Sequence, residues 1–257
     1  MNGATLRAAE QLRTTVSTLV FTPDRLAVVK GGPAVRRAYF DRALGRLIPA
    51  RATLPAEYGA ALGQRNAALR RMSLGLSTAE ALEPWTEKVA ELAAALVAAR
   101  RETLELLSPA FADRAGELGL PKCALVYAAE APSVEALVAR QGRDVERGFT
   151  SLGPHLDEIG IVAGDRDLRT FGSQGEQRLA VLSLLLAEAD VIVERGGPPP
   201  LLLLDDVLSE LDPGRRRILA ARIGAAGQTL VTSTSAAALP VEPAQLLEVA
   251  TGMVTVR

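Results

Sequence analysis

Residues 172–178 read Gly-Ser-Gln-Gly-Glu-Gln-Arg, residues 201–206 read Leu-Leu-Leu-Leu-Asp-Asp, and residues 209–212 read Ser-Glu-Leu-Asp. The first segment begins an apolar helix and places a hydroxyl and free amides at a helix N-terminus, where the macrodipole favours phosphate. The second places two carboxylates at the end of a buried strand, where they can hold Mg²⁺ and orient a water. Together the segments predict the second half of a nucleotide-binding ATPase.

The other half of such a site has no counterpart in the sequence. The phosphate-cradling loop G-x-x-x-x-G-K-[ST] does not occur anywhere in the 257 residues. An apolar run that ends in two acids is weak evidence alone, because buried strands often end in capping acids. The sequence has three such clusters in succession, and their combination argues against strand-capping acids as the explanation.

The three clusters resemble the motifs of ABC-type ATPases, and more narrowly those of the branch that contains SMC proteins and Rad50. The resemblance identifies residues 173–177 as the signature motif and residues 201–206 as Walker B. It identifies residues 209–212 as the D-loop. The resemblance therefore implies an α/β fold, an ABC-ATPase-like head of the SMC/Rad50 type that holds the C-terminal part of a P-loop sheet.

Further segments are similar to the bacterial RecF family. Residues 21–41 resemble the pattern in which a strand enters an arm subdomain, and residues 64–66, Gln-Arg-Asn, match a triplet common in the family. Residues 153–158 resemble its Gly-Pro-His-Arg-Asp-Asp, but Leu156 replaces the Arg, so a role for that Arg cannot be transferred. The resemblance covers only the later part of a typical RecF. We therefore expect Met1 to be an internal or misassigned start, or to follow a deletion.

Composition bounds the remaining possibilities. With 257 residues and 48% hydrophobic residues, the chain can bury a core and form one or two domains. A net charge of −1 gives no global attraction to nucleic acid or membrane, so DNA binding needs local patches. Because Cys123 is the single cysteine, an internal disulfide is excluded, which fits a reducing cytosol. Its apolar sequence context predicts a packed core residue. No signal pattern or apolar membrane span is visible, and we expect a cytoplasmic protein.

The chain divides into a helical insert between parts of an α/β layer. We expect a remnant of the N-terminal ATPase lobe over residues 1–22, a helical arm subdomain over 23–120, and the ATPase lobe with all three motifs over 121–257. The patterns predict helices at 4–13, 33–49, 54–72, 133–147, 175–187 and 213–223, and a long amphipathic helix beyond Pro84 with a capping box at 77–80. They predict strands at 16–21, 123–129, 201–204 and 228–232 and hairpins at 159–171 and 246–257, with 201–204 buried on both faces.

The resemblance also implies the role of each motif residue. Asp205 is expected to hold Mg²⁺ through a bound water, and Asp206 to orient the attacking water or accept its proton. In the family, two heads sandwich ATP, and each gives its signature helix to the nucleotide of its partner. Ser173 and the amide of Gly175 are therefore expected at the γ-phosphate of a second chain. The other expected signature and D-loop residues are Gln174, Glu176, Gln177, Ser209 and Asp212, with Asp212 linking the two sites.

Several positions stay open between functional and structural interpretations. Thr232 or Thr234 could bond the phosphate as a switch or simply cap a strand. His155, the only histidine, is more often a structural hydrogen bonder than a catalyst. The candidate DNA-binding residues are Arg36, Arg37, Arg42, Arg46, Arg70 and Arg71, with Arg100, Arg101 and residues 215–217 as further basic groups. A solvated helix face is the alternative for each of them.

The most specific hypothesis is a RecF-like DNA replication and repair protein that uses ATP and Mg²⁺. The resemblance implies ATP-controlled dimerisation on single-strand gaps or junctions, where RecO and RecR help to load RecA. Because the P-loop is missing from the sequence, the chain alone is expected to be inactive as an ATPase. A catalytically inactive DNA- or partner-binding module remains the alternative, and a generic ABC transport ATPase fits less well.

Overall fold

The computed structural model describes residues 17–209, 211–225 and 227–256 of the chain. The predicted helix at 4–13 and the start of the strand at 16–21 lie outside these residues. The helices are α1 (Ala27–Lys30), α2 (Pro33–Leu47), α3 (Leu54–Ser73), α4 (Ala79–Glu117), α5 (Val134–Ala139), α6 (Gln141–Arg147), α7 (Leu168–Phe171), α8 (Gln174–Glu194) and α9 (Pro213–Ala225).

The described strands form three sheets. The strands are β1 (Thr18–Phe21), β2 (Cys123–Val126), β3 (Gly160–Ala163), β4 (Arg166–Asp167), β5 (Leu201–Asp205), β6 (Thr229–Thr232), β7 (Leu247–Ala250) and β8 (Met253–Val256). A parallel sheet has the order β1-β5-β6, an antiparallel sheet has the order β2-β3-β4, and β7 pairs with β8 as a hairpin. Parallel strands joined by helices confirm the predicted α/β fold class.

Helix α8 lies at the centre of the larger hydrophobic core. Its residues from Gln177 to Ala189 are buried on every side, because the helix packs between the parallel sheet and α4. Leu202 and Leu204 of β5 and Phe21 of β1 contribute to the same core and are almost completely buried. The position of α8 between the two layers explains the apolar composition from which a buried helix was predicted. The helix ends at Glu194 rather than at residue 187.

Helix α4 joins this core to a second, smaller one. Its C-terminal half gives Leu107 and Phe111 to the larger core, and its N-terminal half gives Val89 and Leu96 to the smaller. The smaller core also contains Tyr58 of α3, and α3 and α4 pack along each other. The proposed division into an arm and a lobe at residues 22/23 and 120/121 stays a prediction.

Three local predictions were wrong. The helix α4 starts after Thr78 rather than Ser77, so the capping box at 77–80 does not form. Residues 168–171 are helical rather than extended, because Asp167 accepts a hydrogen bond at 2.7 Å from the backbone N–H of Arg169 and starts α7. Strand β5 is buried on one face only, since Leu201 and Leu203 are half-exposed.

A fully buried ion pair connects α3 to α6. The Nη1 atom of Arg65 lies 3.0 Å from Oδ2 of Asp144, and both side chains are 0% exposed. Arg65 also donates to the hydroxyls of Thr86 and Thr150 and to the carbonyl of Leu137. Because the guanidinium uses its donors on these partners, the pair is satisfied although it lies in a low-dielectric interior.

Removing one partner of this pair should destabilise the fold strongly. Arg65→Ala leaves the Asp144 carboxylate buried without its cation, and we expect a loss of about 3–5 kcal/mol in the free energy of unfolding. The exposed pair Lys88–Glu91 is the control, since Lys88→Ala should cost less than about 1 kcal/mol. Urea titration monitored by circular dichroism measures both. Equal midpoints for the two variants would contradict this account of the α3–α6 contact.

Candidate functional site

The predicted signature residues form the first turn of α8. Ser173 is the N-cap: its Oγ accepts a hydrogen bond at 3.2 Å from the N–H of Glu176, and its own N–H donates to Glu176 at 2.8 Å. The N–H of Ser173 and the guanidinium of Arg166 both hold the pKa of Glu176 below its usual value. This reciprocal capping box fixes the exposed Ser173 at a helix N-terminus.

The remaining signature residues divide between surface and interior. Gln174 and Gly175 are exposed in the first turn of the helix. Gln177 is buried and donates to the carbonyl of Leu168 at 2.8 Å, which ties α8 to α7. Gln177 therefore holds the exposed turn in place, and its expected part in nucleotide binding stays a prediction.

A cleft of about 570 Å³ opens beside this turn. Ser173, Gly175 and Glu176 form one wall, and Lys122 and Arg215 contribute cations to its lining. Lys122 could not be identified from the sequence, because a lysine after a Gly-Leu-Pro break carries no spacing signal. Lys122 has a left-handed backbone with φ of 58°, which is unusual for a non-glycine residue.

The Walker B carboxylates lie at the C-terminal end of β5. Thr232, on the neighbouring strand β6, donates its hydroxyl to Asp205 at 2.5 Å and accepts the N–H of Asp206 at 3.1 Å. Thr232 therefore caps the end of the strand and orients both aspartates, and its expected role as a phosphate switch stays a prediction. Thr234 is exposed in the bend that follows.

Asp206 carries two signs of local strain. Its φ is 48°, in the left-handed region that costs a residue with a Cβ free energy. Its Oδ1 atom is buried and has no hydrogen-bond partner among the described residues. A buried carboxylate oxygen without a partner is destabilising, so this geometry fits a cation or an ordered water at the strand end.

The D-loop residues make local contacts. Ser209 donates to the carbonyl of Asp206 at 3.1 Å. Asp212 accepts the N–H of Arg215 at 3.0 Å at the start of α9, and this hydrogen bond lowers the pKa of Asp212. Glu210 lies outside the described residues. Asp212 thus has a structural role as a helix cap, and its expected link between two nucleotide sites stays a prediction.

His155 belongs to a structural network. Its Nδ1 lies 2.7 Å from the hydroxyl of Tyr58 and its Nε2 lies 3.0 Å from the carbonyl of Thr150. Burial lowers its pKa, which keeps the ring neutral. The contacts support the structural interpretation of the lone histidine. Cys123 is likewise buried, and burial raises the pKa of its thiol to about 11.

The candidate DNA-binding arginines fall into two groups. Arg36 is 3% exposed and donates to Glu158 and to the carbonyls of Val29 and Gly31, while Arg46 pairs with the buried Glu188. Both guanidinium groups are occupied inside the protein, which removes them from a DNA surface. Others also have internal partners: Arg37 with the carbonyl of Asp157, Arg100 with Asp41 and Asp157, Arg101 with the carbonyl of Ala129, and residues 215–217 with backbone carbonyls. The exposed candidates are Arg42, Arg70, Arg71, Arg101 and Arg217.

Known proteins with similar sequences share one name. The chain is 36% identical over 248 residues to the DNA replication and repair protein RecF of Heliobacterium modesticaldum, covering 91% of this chain and 67% of that protein. It is 38% identical over 239 residues to RecF of Myxococcus xanthus, covering 86% and 62%. The chain thus spans about two thirds of the length of these relatives. No family profile matches the chain.

Solved structures agree with this similarity. The recombination mediator protein RecF of the RecFOR pathway, in complex with an ATP analogue, superposes with a TM-score of 0.84 at 28% identity, over 99% of this chain and 71% of that chain. An Smc head domain from Pyrococcus furiosus gives a TM-score of 0.52 at 17% identity, over 93% and 61%, and supports the fold alone. Among the described residues, no helix is long and apolar enough to cross a membrane.

The two aspartates Asp206 and Asp212 should respond oppositely to replacement. Asp206→Gly relieves the left-handed strain and removes a buried unpaired oxygen, so we expect the free energy of unfolding to rise by about 1–2 kcal/mol. Asp212→Ala removes a helix cap and should lower it by about 1 kcal/mol. Urea unfolding of the two variants and the wild type measures both signs. A loss of stability in Asp206→Gly would mean that Asp206 is kept for structure.

Proposed function

The chain belongs to the RecF family of DNA replication and repair proteins, and we propose on this premise that it carries the signature and Walker B parts of an ATP-controlled DNA-binding head. Its place of action would be DNA at single-strand gaps or junctions. The supporting evidence is the order of the motifs, the similarity to RecF along nearly the whole chain, and the geometry at the end of β5.

One observation carries the proposal: the strained Asp206 beside the oriented Asp205. A residue kept in a left-handed conformation with a buried, unpaired carboxylate oxygen lowers stability, and such cost is typical of functional sites. The two carboxylates and the hydroxyl of Thr232 fit Mg²⁺, which prefers oxygen ligands and retains waters. Bound there with ATP, Mg²⁺ would neutralise charge on the phosphates.

The chain's own residues have separate parts in this proposal. Asp205 would hold the hydrated cation, with Thr232 fixing its carboxylate. Asp206 would accept a proton from the attacking water or orient that water. Ser173 and the amide of Gly175 would contact the γ-phosphate bound to a second chain, because their helix N-terminus faces outward beside the open cleft.

Dimerisation would follow from the division of each nucleotide site between two chains. If each head completes the nucleotide site of its partner, ATP binding and dimerisation are coupled, and the dimer is the state that engages DNA. We further propose that the protein works in the cytoplasm with RecR and RecO and, through them, promotes RecA loading. The similarity to a recombination mediator of the RecFOR pathway supports this assignment of partners.

A second candidate function is a catalytically inactive DNA- or partner-binding module. The observation in its favour is that the 257 residues contain no G-x-x-x-x-G-K-[ST] loop. Both functions predict the same fold and DNA contacts. They differ in whether nucleotide turnover can be restored.

Turnover should depend on a P-loop supplied to the chain. The purified 257-residue chain should release no phosphate from ATP with Mg²⁺, with or without DNA. A fusion to the segment of the H. modesticaldum relative that the match leaves uncovered, where we expect the P-loop, should hydrolyse ATP. In that fusion Asp206→Asn should lower turnover by at least about 100-fold. A fusion that binds ATP without turnover would favour the inactive module, and turnover by the chain alone would contradict the expected division.

Dimerisation should depend on Ser173. In the same fusion, ATP should double the mass measured by light scattering, and Ser173→Arg should prevent this because its side chain fills the expected phosphate position. Ser73→Arg, at an exposed serine outside the signature, is the matched control and should dimerise normally. An unchanged ATP-dependent dimer in Ser173→Arg would overturn the assignment of the signature residues.

A further inference from the structure

Four exposed arginines lie where the C-terminal end of α3 meets α6. Arg70 and Arg71 are in the last turn of α3, and Arg143 and Arg147 are one helical turn apart on α6. Arg70 donates to the carbonyl of Gly148 at 3.4 Å, which places the two helix ends in contact. None of the four forms an ion pair with another described residue, whereas Arg36, Arg65, Arg100 and Arg114 of the same protein all have carboxylate partners.

A buried network holds this surface rigidly. The Arg65–Asp144 pair lies beneath it and joins α3 to α6, with both side chains fully buried. The backbone N–H and the hydroxyl of Thr150 both donate to Oδ1 of Asn66, at 2.8 and 2.7 Å. Because Asp144 and Thr150 are fixed, the arginines on both helices keep their relative positions, which reduces the entropy lost on binding a ligand.

An exposed aromatic residue completes the surface. Phe149 follows Gly148, whose φ of 70° ends α6 and turns the chain outward, and it precedes the buried Thr150. Phe149 is one of the five phenylalanines of the protein, and the residue is 46% exposed. A Cβ added at Gly148 would lie 3.0 Å from the side chain of Arg70, so the residue that precedes Phe149 in the chain is packed against Arg70.

Arginines without ion pairs beside an exposed ring match the requirements of single-stranded DNA. Guanidinium groups bind phosphates without regard to sequence, and an aromatic face stacks on an unpaired base. In a continuous duplex the base faces are already stacked on each other, so Phe149 would gain no partner there. We infer that Arg70, Arg71, Arg143, Arg147 and Phe149, here called the arm face, bind the single-stranded side of a DNA gap or junction.

This inference rests on the proposed function, from which it takes the class of ligand, DNA. It adds that the bound DNA is single-stranded, and it names the surface that binds it. Arg70 and Arg71 are among the DNA-binding residues expected from the sequence, whereas Arg143, Arg147 and Phe149 are not. Arg143 and Arg147 are four residues apart in a short helix, and this spacing alone does not indicate a binding site. The site is recognised only from the packing of α6 against α3. Neither ATP nor a second chain is needed for the arm face to bind.

Fluorescence anisotropy of the 257-residue chain tests the inference directly. The probes are a labelled oligothymidylate of about 16 nucleotides and a duplex of the same length, each titrated between about 50 and 200 mM salt. Arg143→Ala with Arg147→Ala should weaken oligothymidylate binding about tenfold and reduce the salt slope by about 1.4. Phe149→Leu keeps apolar bulk but loses the ring, and it should weaken the same binding at least about fivefold with an unchanged slope and unchanged duplex binding.

Two further variants control for charge. Arg169→Ala with Arg195→Ala removes the same charge from exposed positions outside the arm face and should bind like the wild type. Glu146→Gln removes the exposed carboxylate on α6 and should tighten binding. Thermal unfolding monitored by circular dichroism verifies that each variant is folded.

The outcomes separate this inference from the proposed function. If the wild type binds DNA and the arm-face variants bind equally well, the arm face is wrong while DNA binding by the chain stands. If Phe149→Leu weakens oligothymidylate and duplex equally, the choice of single strands is overturned. A wild-type chain that binds neither probe would overturn the inference but not the proposed function, which assigns DNA binding to the ATP-dependent dimer and is tested with the fusion.

Discussion

The burial of α8 from Gln177 to Ala189 determines how the two layers and the neighbouring helices are held together. The helix lies between the parallel sheet and α4, and its buried apolar residues connect the two layers. Polar residues at its far end attach the neighbouring helices: Glu188 bonds Arg46 and Tyr39 of α2, and Asp190 bonds Arg114 of α4. Because the body of the helix cannot move independently, its first turn presents Ser173 from a rigid support, as pre-organised phosphate binding requires.

The sequence predicted those features that depend on neighbouring residues. The apolar run of α8, the strand that ends in Asp205 and Asp206, and Pro33 at the first turn of α2 all follow from local periodicity and backbone chemistry. The helix at Leu168–Phe171 was missed because one side-chain hydrogen bond from Asp167 decides it. The left-handed conformation of Asp206 could not be predicted either, since no local sequence pattern indicates a positive φ at an aspartate that ends a strand.

The ion-pair partners of the arginines could not be predicted from local sequence patterns. Arg36 and Glu158 are 122 positions apart, and Arg46 and Glu188 are 142 apart, so no helical spacing indicates either pair. Such pairs turn candidate DNA contacts into structural ones. The four arginines on α3 and α6 form no ion pair with another described residue, unlike Arg65 and Arg100, so no carboxylate competes with phosphate for their guanidinium groups.

The central claim is that two motif clusters of one chain serve nucleotides in different chains. Hydrogen–deuterium exchange of the P-loop fusion, with and without a non-hydrolysable ATP analogue, tests this claim most directly. The account predicts that nucleotide protects the amides of residues 173–177 and 205–206, with protection of 173–177 increasing with protein concentration. Protection of 173–177 that is independent of concentration, or confined to 205–206 at every concentration, would contradict it.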